Sequence, residues 1–374
     1  MVTHIFRALI LLLLPVTVFG QSLDLSVVPP TTNNSTSTFL LDDSEVVINS
    51  TAIRFLESGT TINSYEVLGV SPANTIISVL KRSGEKGQIS VYSPDGEKLD
   101  EFSSIILGDN DPSIAVYPAD NGDVLLRDNI ANFTFYGRSG NISDNMSSSS
   151  QSKQGEQISE VAISNDQKTM IIYSPKIKRD NNFASQVKLK MANGRFRDIH
   201  YSSDRYIKSL ELSDDGNVMA VITAKQGSDD QAIIMDRFGN ELNTITTDKN
   251  LIGASFSADH EFITLYSGGR VMVHNVLSGE SLGATSFRSP VFLADYFAED
   301  NLILAVTGNY TTTAGVLSNV EFRGINLKKR SITTEEFGSS VGFLKASDAS
   351  IERLSADNYQ LNGGSKRVRI KADF

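Results

Sequence analysis

The residues best suited to chemistry in this chain of 374 residues lie in one short segment with a histidine and two tyrosines. His200 is followed by Tyr201, Asp204, Arg205 and Tyr206. A histidine beside a carboxylate can act in general acid–base catalysis, and aromatic rings can stack on a sugar or a peptide. The alternative is that this segment is only a solvated connection between two strands, the second of which begins at Tyr206. We therefore predict that this segment belongs to a binding surface, and we assign no catalytic residue.

Composition excludes several other kinds of site. The chain has no cysteine, so it has no disulfide, no thiolate metal site and no cysteine nucleophile. Its four histidines, His4, His200, His260 and His274, are too widely spaced to form a histidine zinc motif. Acid pairs such as Asp109 and Asp111 do not fit the pattern of a calcium loop. We therefore expect neither a metal nor a cofactor.

A basic segment precedes the histidine and opposes the acidic character of the chain. Its members share one loop and the two strands expected after it: Lys176, Lys178, Arg179, Lys188, Lys190, Arg195 and Arg197. Alternation with apolar residues would put Lys188 and Lys190 on one strand face, beside Arg195 and Arg197 on the returning strand. Such a stripe could dock an acidic partner, or could be a solvated edge that discourages strand pairing. Lys178, Arg179 and Tyr310 complete the predicted binding residues.

The elements that must position these residues form an internal repeat. Two short apolar runs separated by a polar turn recur seven times, with a period of about 46 residues. The clearest copies are Val161–Tyr173, Leu210–Ile222 and Ala254–Tyr266, and weaker copies begin at Leu68, Ala115, Ala294 and Gly342. Most copies are followed by a second hairpin with a Gly-containing turn. Each unit is therefore predicted to hold four strands, and helix should be nearly absent.

The turn from Ser213 to Gly216, with the sequence Ser-Asp-Asp-Gly, resembles the turn between the first two strands in blades of the WD-repeat and TolB-type β-propeller superfamily. The resemblance covers about residues 65–371 and is architectural, since the chain contains no Trp and so no Trp-Asp dipeptide. It implies an all-β fold, a seven-bladed β-propeller of four-stranded antiparallel blades, with eight blades as the alternative. Residues 45–64 contain a hairpin, Thr51–Ile62, that we expect to close the last blade.

The N-terminal region has the pattern of an export signal. Residues 1–20 combine Arg7, an apolar run and a small-residue end, which is typical of a secretory signal peptide. Residues 21–44 are predicted to be a flexible linker because Pro, Thr, Asn and Ser dominate them, and 45–374 a single β-propeller domain. No later apolar run is long enough to span a membrane. The expected location is periplasmic or extracellular.

The net charge limits the possible partners. The formal charge of the chain is −10, so nucleic acid is not an expected partner. Length varies most in the connections between second and third strands and between units, such as Ser174–Ser185, Lys225–Gln231 and Gly308–Asn319. These connections share one face of a propeller, where loops carry binding on a rigid scaffold. We therefore expect a non-catalytic propeller that binds a protein or a glycan through this face.

A propeller hydrolase, lactonase-like or glycan-cleaving, is the alternative function. It would need carboxylates around the central channel, and a glycosidase would need two of them about 5–10 Å apart. The first strands of the repeats, which should line that channel, offer Glu66, Glu160, Glu211 and Asp295. Whether these acids meet in one place distinguishes the two functions.

Overall fold

The computed structural model describes residues 21–28, 38–106, 114–129, 132–147, 157–179, 182–191, 195–247 and 250–374. The predicted signal peptide lies outside these ranges, as do most residues of the serine-rich stretch after Met146. The described residues form strands and three short 3-10 helices, Arg138–Gly140, Ala298–Asp300 and Ala346–Asp348. Among them, no helix has the length and apolar character that crossing a bilayer requires.

The strands form eight antiparallel sheets, each built from four strands that we call A to D in pairing order. The first four sheets are β2(Thr38–Leu41) to β3(Ser44–Ile48), β4(Ala52–Phe55) and β5(Thr61–Asn63); β6(Val67–Val70) to β7(Ile77–Ser83), β8(Lys86–Tyr92) and β9(Lys98–Ile105); β10(Ala115–Pro118) to β11(Val124–Asn129), β12(Asn132–Tyr136) and β13(Ile142–Ser147); and β14(Glu160–Ile163) to β15(Met170–Arg179), β16(Asn182–Lys190) and β17(Phe196–Ser202).

The last four sheets follow the same plan. They are β18(Tyr206–Leu212) to β19(Val218–Ala224), β20(Asp230–Asp236) and β21(Glu241–Thr247); β22(Leu251–Phe256) to β23(Phe262–Ser267), β24(Arg270–Asn275) and β25(Ser281–Ser286); β26(Val291–Phe297) to β27(Leu302–Thr311), β28(Val316–Asn326) and β29(Ser331–Phe337), with β30(Val341–Gly342) added to β28; and β31(Ser350–Ser355) to β32(Asn358–Asn362), β33(Arg367–Asp373) and β1(Ser22–Val28).

The turn between strands A and B explains why the repeat has its sequence signature. In the fifth sheet the Ser213 hydroxyl donates to the Asp215 carboxylate at 2.9 Å and accepts from the Val218 amide at 3.0 Å. Gly216 completes the turn with a φ of +66°, which glycine adopts without steric cost. Ser164 with Asp166 and Ser257 with Asp259 repeat the hydroxyl–carboxylate pair. Where these turns lack the glycine, Gln167 and His260 adopt the same positive φ, 58° and 59°.

Stacking of the sheets buries both faces of the B strands. In β19, Val221 and Ile222 point to opposite faces, and both are fully buried. Ile222 packs in a cluster shared with the sixth sheet, and Val221 in one shared with the fourth. A strand covered on both sides must be apolar throughout, and this is why the predicted B strands show no alternation.

The ends of the chain meet in the eighth sheet and depart from the predicted boundaries. Ser22–Val28, expected to be part of a flexible linker, is strand β1, and it pairs antiparallel with β33 in register from Ser22 opposite Asp373 to Val28 opposite Arg367. Its apolar positions are the physical reason, because Leu23 is buried between the seventh and eighth sheets. Strand D of the last sheet therefore comes from residues 22–28 rather than from residues 45–64.

Residues 45–64 instead belong to a sheet of their own. The hairpin expected there is present as β4 and β5, and its A and B strands, β2 and β3, begin at Thr38 within the predicted linker. The described residues thus form eight four-stranded sheets, whereas the repeat count predicts seven with eight as the alternative. The last repeat copy, from Gly342 to Ile351, was also misassigned, because Ala346–Asp348 precedes strand A instead of joining A to B.

Candidate binding channel

The A strands surround a central channel that contains two cavities. The larger cavity, of about 1280 Å³, is lined mainly by the fifth to eighth sheets. The smaller, of about 630 Å³, is lined by the second to fifth sheets and by the start of the eighth. The segment around Ser347 and Ser350 lines both cavities, so it lies between them. Polar groups on the A strands can therefore reach either half of the channel.

One wall of the larger cavity is shaped by irregularities in three consecutive A strands. The pairing register shifts at Lys208 in β18, at Ile252 in β22 and at Phe292 in β26. Such bulges re-aim a side chain and are frequent beside functional sites. Ile252 and Phe292 line the larger cavity, and Phe292 packs against Tyr310 with 5.1 Å between ring centroids. The bulges thus give this cavity an apolar, aromatic wall.

The residues that line the same cavity include two carboxyl groups and a phenol on its strands. Glu211 lies near the end of β18, Asp295 in the middle of β26, and Tyr266 in β23. Burial and the nearby Asp295 raise the pKa of Glu211 to about 8, and burial raises the pKa of Asp295 to about 6. Asp295 also accepts a hydrogen bond from the Ile351 amide at 3.2 Å, which ties the seventh sheet to the eighth. At neutral pH Glu211 therefore keeps its proton, whereas Asp295 is largely ionised.

The smaller cavity contains an acid that already has a cationic partner. The Arg127 guanidinium lies 3.2 Å from the Glu160 carboxylate, and the Tyr117 hydroxyl donates to that carboxylate at 2.8 Å. Arg127 also donates to the Tyr117 hydroxyl at 2.7 Å and to the Ser159 carbonyl. This cluster joins the third and fourth sheets. Glu160 therefore has a cationic partner in the smaller cavity.

The segment that leads into the eighth sheet crosses the channel. Val341 and Gly342 form β30 beside β28, and the Phe343 amide then donates to the Gly315 carbonyl at the tip of the β27–β28 hairpin. Beyond it, the Lys345 ammonium lies 5.4 Å from the centroid of the Tyr117 ring, on the third sheet. Asp348 follows, and burial raises the pKa of its carboxyl. A chain segment rather than open solvent therefore divides the two cavities.

The histidine segment does not assemble the pair that the sequence suggested. His200 lies on β17, opposite Val187, and burial lowers the pKa of its imidazole. Asp204 instead forms an ion pair with Lys225 at 2.8 Å and accepts from the Ser202 hydroxyl at 2.9 Å. Arg205 donates to the Thr223 hydroxyl at 2.9 Å and to the Asp229 carbonyl at 2.7 Å. Asp204 and Arg205 thus fasten the connection from the fourth to the fifth sheet.

The three predicted tyrosines divide into two groups. Tyr201 and Tyr206 flank the connection from β17 to β18, and both are exposed. Tyr310 is half-buried in the wall of the larger cavity, on β27. The loop expected from Gly308 to Asn319 is mostly strand, since β27 continues to Thr311 and β28 begins at Val316. Ser174–Ser185 is likewise an extended hairpin of β15 and β16.

The basic stripe is not arranged as predicted. Lys188 is opposite Asp198 and Lys190 opposite Phe196, whereas Arg197 is opposite Leu189 and so points to the other face of the sheet. Lys188 lies 3.8 Å from Asp198, and the Lys190 ammonium lies over the Phe135 ring of the third sheet. A shift in register after Val187 caused the error, because it changes which residues face each other. Lys178 and Arg179 lie at the end of β15.

Of the four acids expected around the channel, three line it. Glu160 lines the smaller cavity, Asp295 the larger, and Glu211 both. Glu66 instead pairs with Arg82 at 2.7 Å. The sequence did not predict that Tyr266 and Tyr117 line the channel, because an aromatic residue in a strand packs equally well in the core between sheets. Within the described ranges, no three His, Asp or Glu side chains are grouped as a metal ion would require.

Comparison with solved structures supports the β-propeller fold. The structure is similar to the Dos1 propeller, with a TM-score of 0.55, 12% identity, and coverage of 90% of this chain and 92% of that chain. It is also similar to BamB from Moraxella catarrhalis, with a TM-score of 0.51, 11% identity, and coverage of 95% and 99%. The enzyme NirN, a dihydro-heme d1 dehydrogenase solved with DHE, has a TM-score of 0.51 at 11% identity, and coverage of 81% and 66%.

No protein-family model and no curated protein sequence matches the chain. At these identities the structural similarity shows the fold alone: the chain is a β-propeller.

Proposed function

We propose that this protein is an exported, non-catalytic β-propeller that binds a protein or glycan partner through its long-loop face. We use this name for the face that carries the B–C turns and the connections between consecutive sheets, including 203–205, 225–229 and 312–315. Loops on such a face can change without disturbing the stacked strands, so binding sites form there readily.

The observation that carries the proposal is a row of exposed apolar side chains on this face. Tyr201 is 56% exposed, Tyr206 45% and Ile252 46%, and each lies within one residue of a strand end in the fourth, fifth or sixth sheet. Tyrosine combines a large apolar surface with a hydroxyl group, a combination that is frequent at protein and sugar interfaces. Ile252 also lines the larger cavity, so the row continues into the channel.

The opposite face also exposes apolar residues, and it serves as a comparison. Phe238 and Leu277, in the C–D turns of the fifth and sixth sheets, are 55% and 72% exposed. Exposure alone therefore does not select a face. The long-loop face is favoured because its apolar row adjoins a cavity and because the long hairpins β15–β16 and β27–β28 project there.

Two matched variants test the choice of face. In the first, Tyr201, Tyr206 and Ile252 are replaced by Ser, and in the second Phe238 and Leu277 are replaced by Ser. Each is compared with the wild type by cross-linking in the native secretome and by binding to a glycan array. The partner retained by wild type and by the second variant should be lost by the first, with at least a 10-fold loss of affinity. Loss only in the second variant would refute the proposal.

Export is part of the proposal and has its own test. Expression of the full chain should yield a mature protein whose N-terminus is Gln21, outside the cytoplasm. N-terminal sequencing of the exported protein measures this. Retention of Met1 in a cytoplasmic product would refute the export assignment without affecting the choice of binding face.

A second function is favoured by one observation, the shared cavity of Glu211 and Asp295. Their pKa values of about 8 and about 6 differ in the way that a general acid and a carboxylate base or nucleophile require. In a glycan-cleaving enzyme Glu211 would donate the proton and Asp295 would act as the carboxylate. Hydrolysis of aryl glycosides by the wild type, lost in both Glu211→Gln and Asp295→Asn, would support this function. No hydrolysis by the wild type would leave binding as the function.

A further inference from the structure

We propose that the larger cavity of the channel binds an organic cation, namely a primary amine carried on an apolar or aromatic body. The proposal does not depend on a partner at the long-loop face, and it assigns to the channel a ligand of its own. It rests on the charges that line the cavity, on a buried phenol and on the apolar wall.

The charged residues that line the cavity are mostly acidic. Six carboxylic acids line it, namely Glu211, Asp214, Asp259, Asp295, Glu299 and Glu352. The cationic candidates there are Arg353 and His260. Arg353 is committed to Asp300 at 2.7 Å and to Glu299 at 2.8 Å, and His260 lies 3.5 Å from Asp215. Among the described lining residues, no cation is therefore left for Glu211 and Asp295.

Tyr266 points independently to a ligand. Its side chain belongs to the core and is only 8% exposed, yet it lines the cavity, and in the described part of the chain its hydroxyl makes no hydrogen bond. Its oxygen is therefore available to a molecule in the cavity. The phenol lies against Gly253 of β22, where a β-carbon would come within 2.5 Å of the tyrosine oxygen. Any larger residue at position 253 would clash with the ring, so glycine there makes room for the Tyr266 side chain beside the channel.

An ammonium group would satisfy all three polar groups together. It has three hydrogen atoms to donate, and the carboxylates of Glu211 and Asp295 and the oxygen of Tyr266 are acceptors. Pairing of an ammonium with an ionised acceptor is stronger in a buried site than in water. A neutral polyol could donate to the same acceptors but would leave the ionised Asp295 without a counter-charge.

The apolar wall of the cavity indicates the chemistry of the remainder of the ligand. Ile252, Phe292, Leu293 and Tyr310 line the cavity on the side of the bulged strands. A volume of about 1280 Å³ accommodates an aromatic body together with its amine. Burial of that body on the wall, with the ammonium toward the acids, gives a ligand that is cationic at one end and apolar at the other.

Binding of such a ligand must release a proton. The titratable groups that share a cavity with Glu211 are, in the smaller one, Glu160, Tyr117, Tyr173, Asp214, Asp348, Arg127 and Lys345, and in the larger one the other acids and the two cations named above with Tyr266, Tyr296 and Tyr310. Arg127 is paired with Glu160, and the Lys345 ammonium lies over the Tyr117 ring. At pH 7 the Glu211 carboxyl, with a pKa of about 8, is protonated, and an adjacent ammonium would lower that pKa. The proton leaves Glu211 for the buffer as the ammonium binds. A neutral ligand has no such requirement.

Calorimetry with a matched pair of probes tests the proposal. 2-Phenylethylamine and 2-phenylethanol share the aromatic body and differ only in the ammonium. At pH 7 the wild-type protein should bind the amine at least 10-fold more tightly than the alcohol. Titrations in buffers with different ionisation enthalpies should show release of about one proton per amine. Equal affinity for the two probes, or no heat with the amine at millimolar concentration, would overturn the proposal.

Variants identify the groups that are responsible. Glu211→Gln should weaken amine binding at least 10-fold and abolish proton release, and Asp295→Asn should weaken binding to a similar extent. Tyr266→Phe keeps the ring and should lose less affinity than Tyr266→Ala. Glu335→Gln, at an exposed acid of β29 outside the cavity lining, is the control and should bind as the wild type does. Amine binding that is equally strong in Glu211→Gln and Asp295→Asn would refute the site.

Discussion

Leu25 lies opposite Ile370 in antiparallel register, so a strand near the start of the described chain completes the sheet that the last three strands begin. Arg367 in β33 of this sheet lies 2.8 Å from Asp43, in the turn between β2 and β3 of the first sheet. This contact joins the eighth sheet to the first across 324 positions of sequence. The edge of β33 is covered by β1, so it cannot pair with another molecule. Closure of the ring therefore depends on a strand of seven residues, Ser22–Val28, that composition assigns to a linker.

Replacement of Leu23 by Ala should destabilise the protein strongly. Leu23 is buried against the seventh sheet, and loss of a buried leucine leaves a cavity that costs about 2–5 kcal/mol. Asp24→Ala, at the exposed neighbouring position in the same strand, is the control and should cost less than about 0.5 kcal/mol. Urea denaturation measures both. Equal effects of the two substitutions would mean that β1 does not contribute to the closed ring.

The stability of the protein should fall as pH rises through the range in which Glu211 loses its proton. The pKa of Glu211 is raised from 4.5 to about 8 in the folded protein, so the folded state binds the proton more tightly than the unfolded state. The stabilisation is fully present below about pH 4.5 and is lost by about pH 8. Between these values Glu211 alone contributes a slope of up to about 1.4 kcal/mol per pH unit.

Urea denaturation of wild type and Glu211→Gln from pH 5 to pH 9 measures this slope. The wild type should lose stability relative to the variant as pH rises, because glutamine has no proton to release. Glu352→Gln, which removes an exposed acid of the same cavity, should retain the wild-type slope. Parallel curves for wild type and Glu211→Gln would show that Glu211 is not buried as a protonated acid.

Gly315→Ala should loosen the segment that crosses the channel. Gly315 has a φ of +61°, and a β-carbon there would come within 2.5 Å of the Phe343 carbonyl oxygen. Gly227, in the corresponding turn of the fifth sheet, has a φ of +78° with no atom within 4 Å of the same position. Gly227→Ala therefore adds the same backbone strain without the clash, and it is the matched control.

Hydrogen exchange distinguishes the two glycine variants. The amides of Phe343 and Gly342, which bond to the Gly315 carbonyl and to the Ser365 hydroxyl, should exchange faster in Gly315→Ala and at the wild-type rate in Gly227→Ala. Similar exchange at these amides in both variants would mean that the hairpin tip does not hold the segment. Because Phe343 donates to the Gly315 carbonyl, shortening the β27–β28 hairpin should also lower the stability of the protein.

Tyr359→Phe should cost about 1.5–3 kcal/mol at neutral pH, since its hydroxyl is bonded to an ionised group. Tyr359 is fully buried in β32 and donates to the Asp300 carboxylate at 2.6 Å. Hydrogen bonds from Arg353 and Tyr359 lower the pKa of Asp300, so the stability they provide is lost as pH falls through that lowered pKa. The difference between wild type and variant in urea denaturation should therefore shrink in acid. A constant difference would contradict the role of the carboxylate.

Local sequence determined the repeat of this protein. In the three clearest A–B turns the serine, the aspartate and the positive-φ residue are close in the chain, and the hydrogen bonds they form, such as Ser213 with Asp215, need no distant partner. The apolar B strands follow in the same way from burial on both faces. These features predicted a β-propeller of four-stranded units, and they also predicted that Glu160, Glu211 and Asp295 lie on strands that line the channel.

Only the tertiary structure decided how the ring closes and what the channel contains. The pairing of Leu25 with Ile370 and the approach of Lys345 to Tyr117 join residues far apart in sequence, and no local pattern specifies such partners. The partner of Lys188 also depended on a shift in pairing, because one inserted residue reverses the facing of a strand. Asp204 pairs with Lys225 rather than with His200, and this partner directly follows strand β19 of the next sheet. The raised pKa of Glu211 also depended on the tertiary structure, because it follows from burial and from neighbouring charges that only the folded chain brings together.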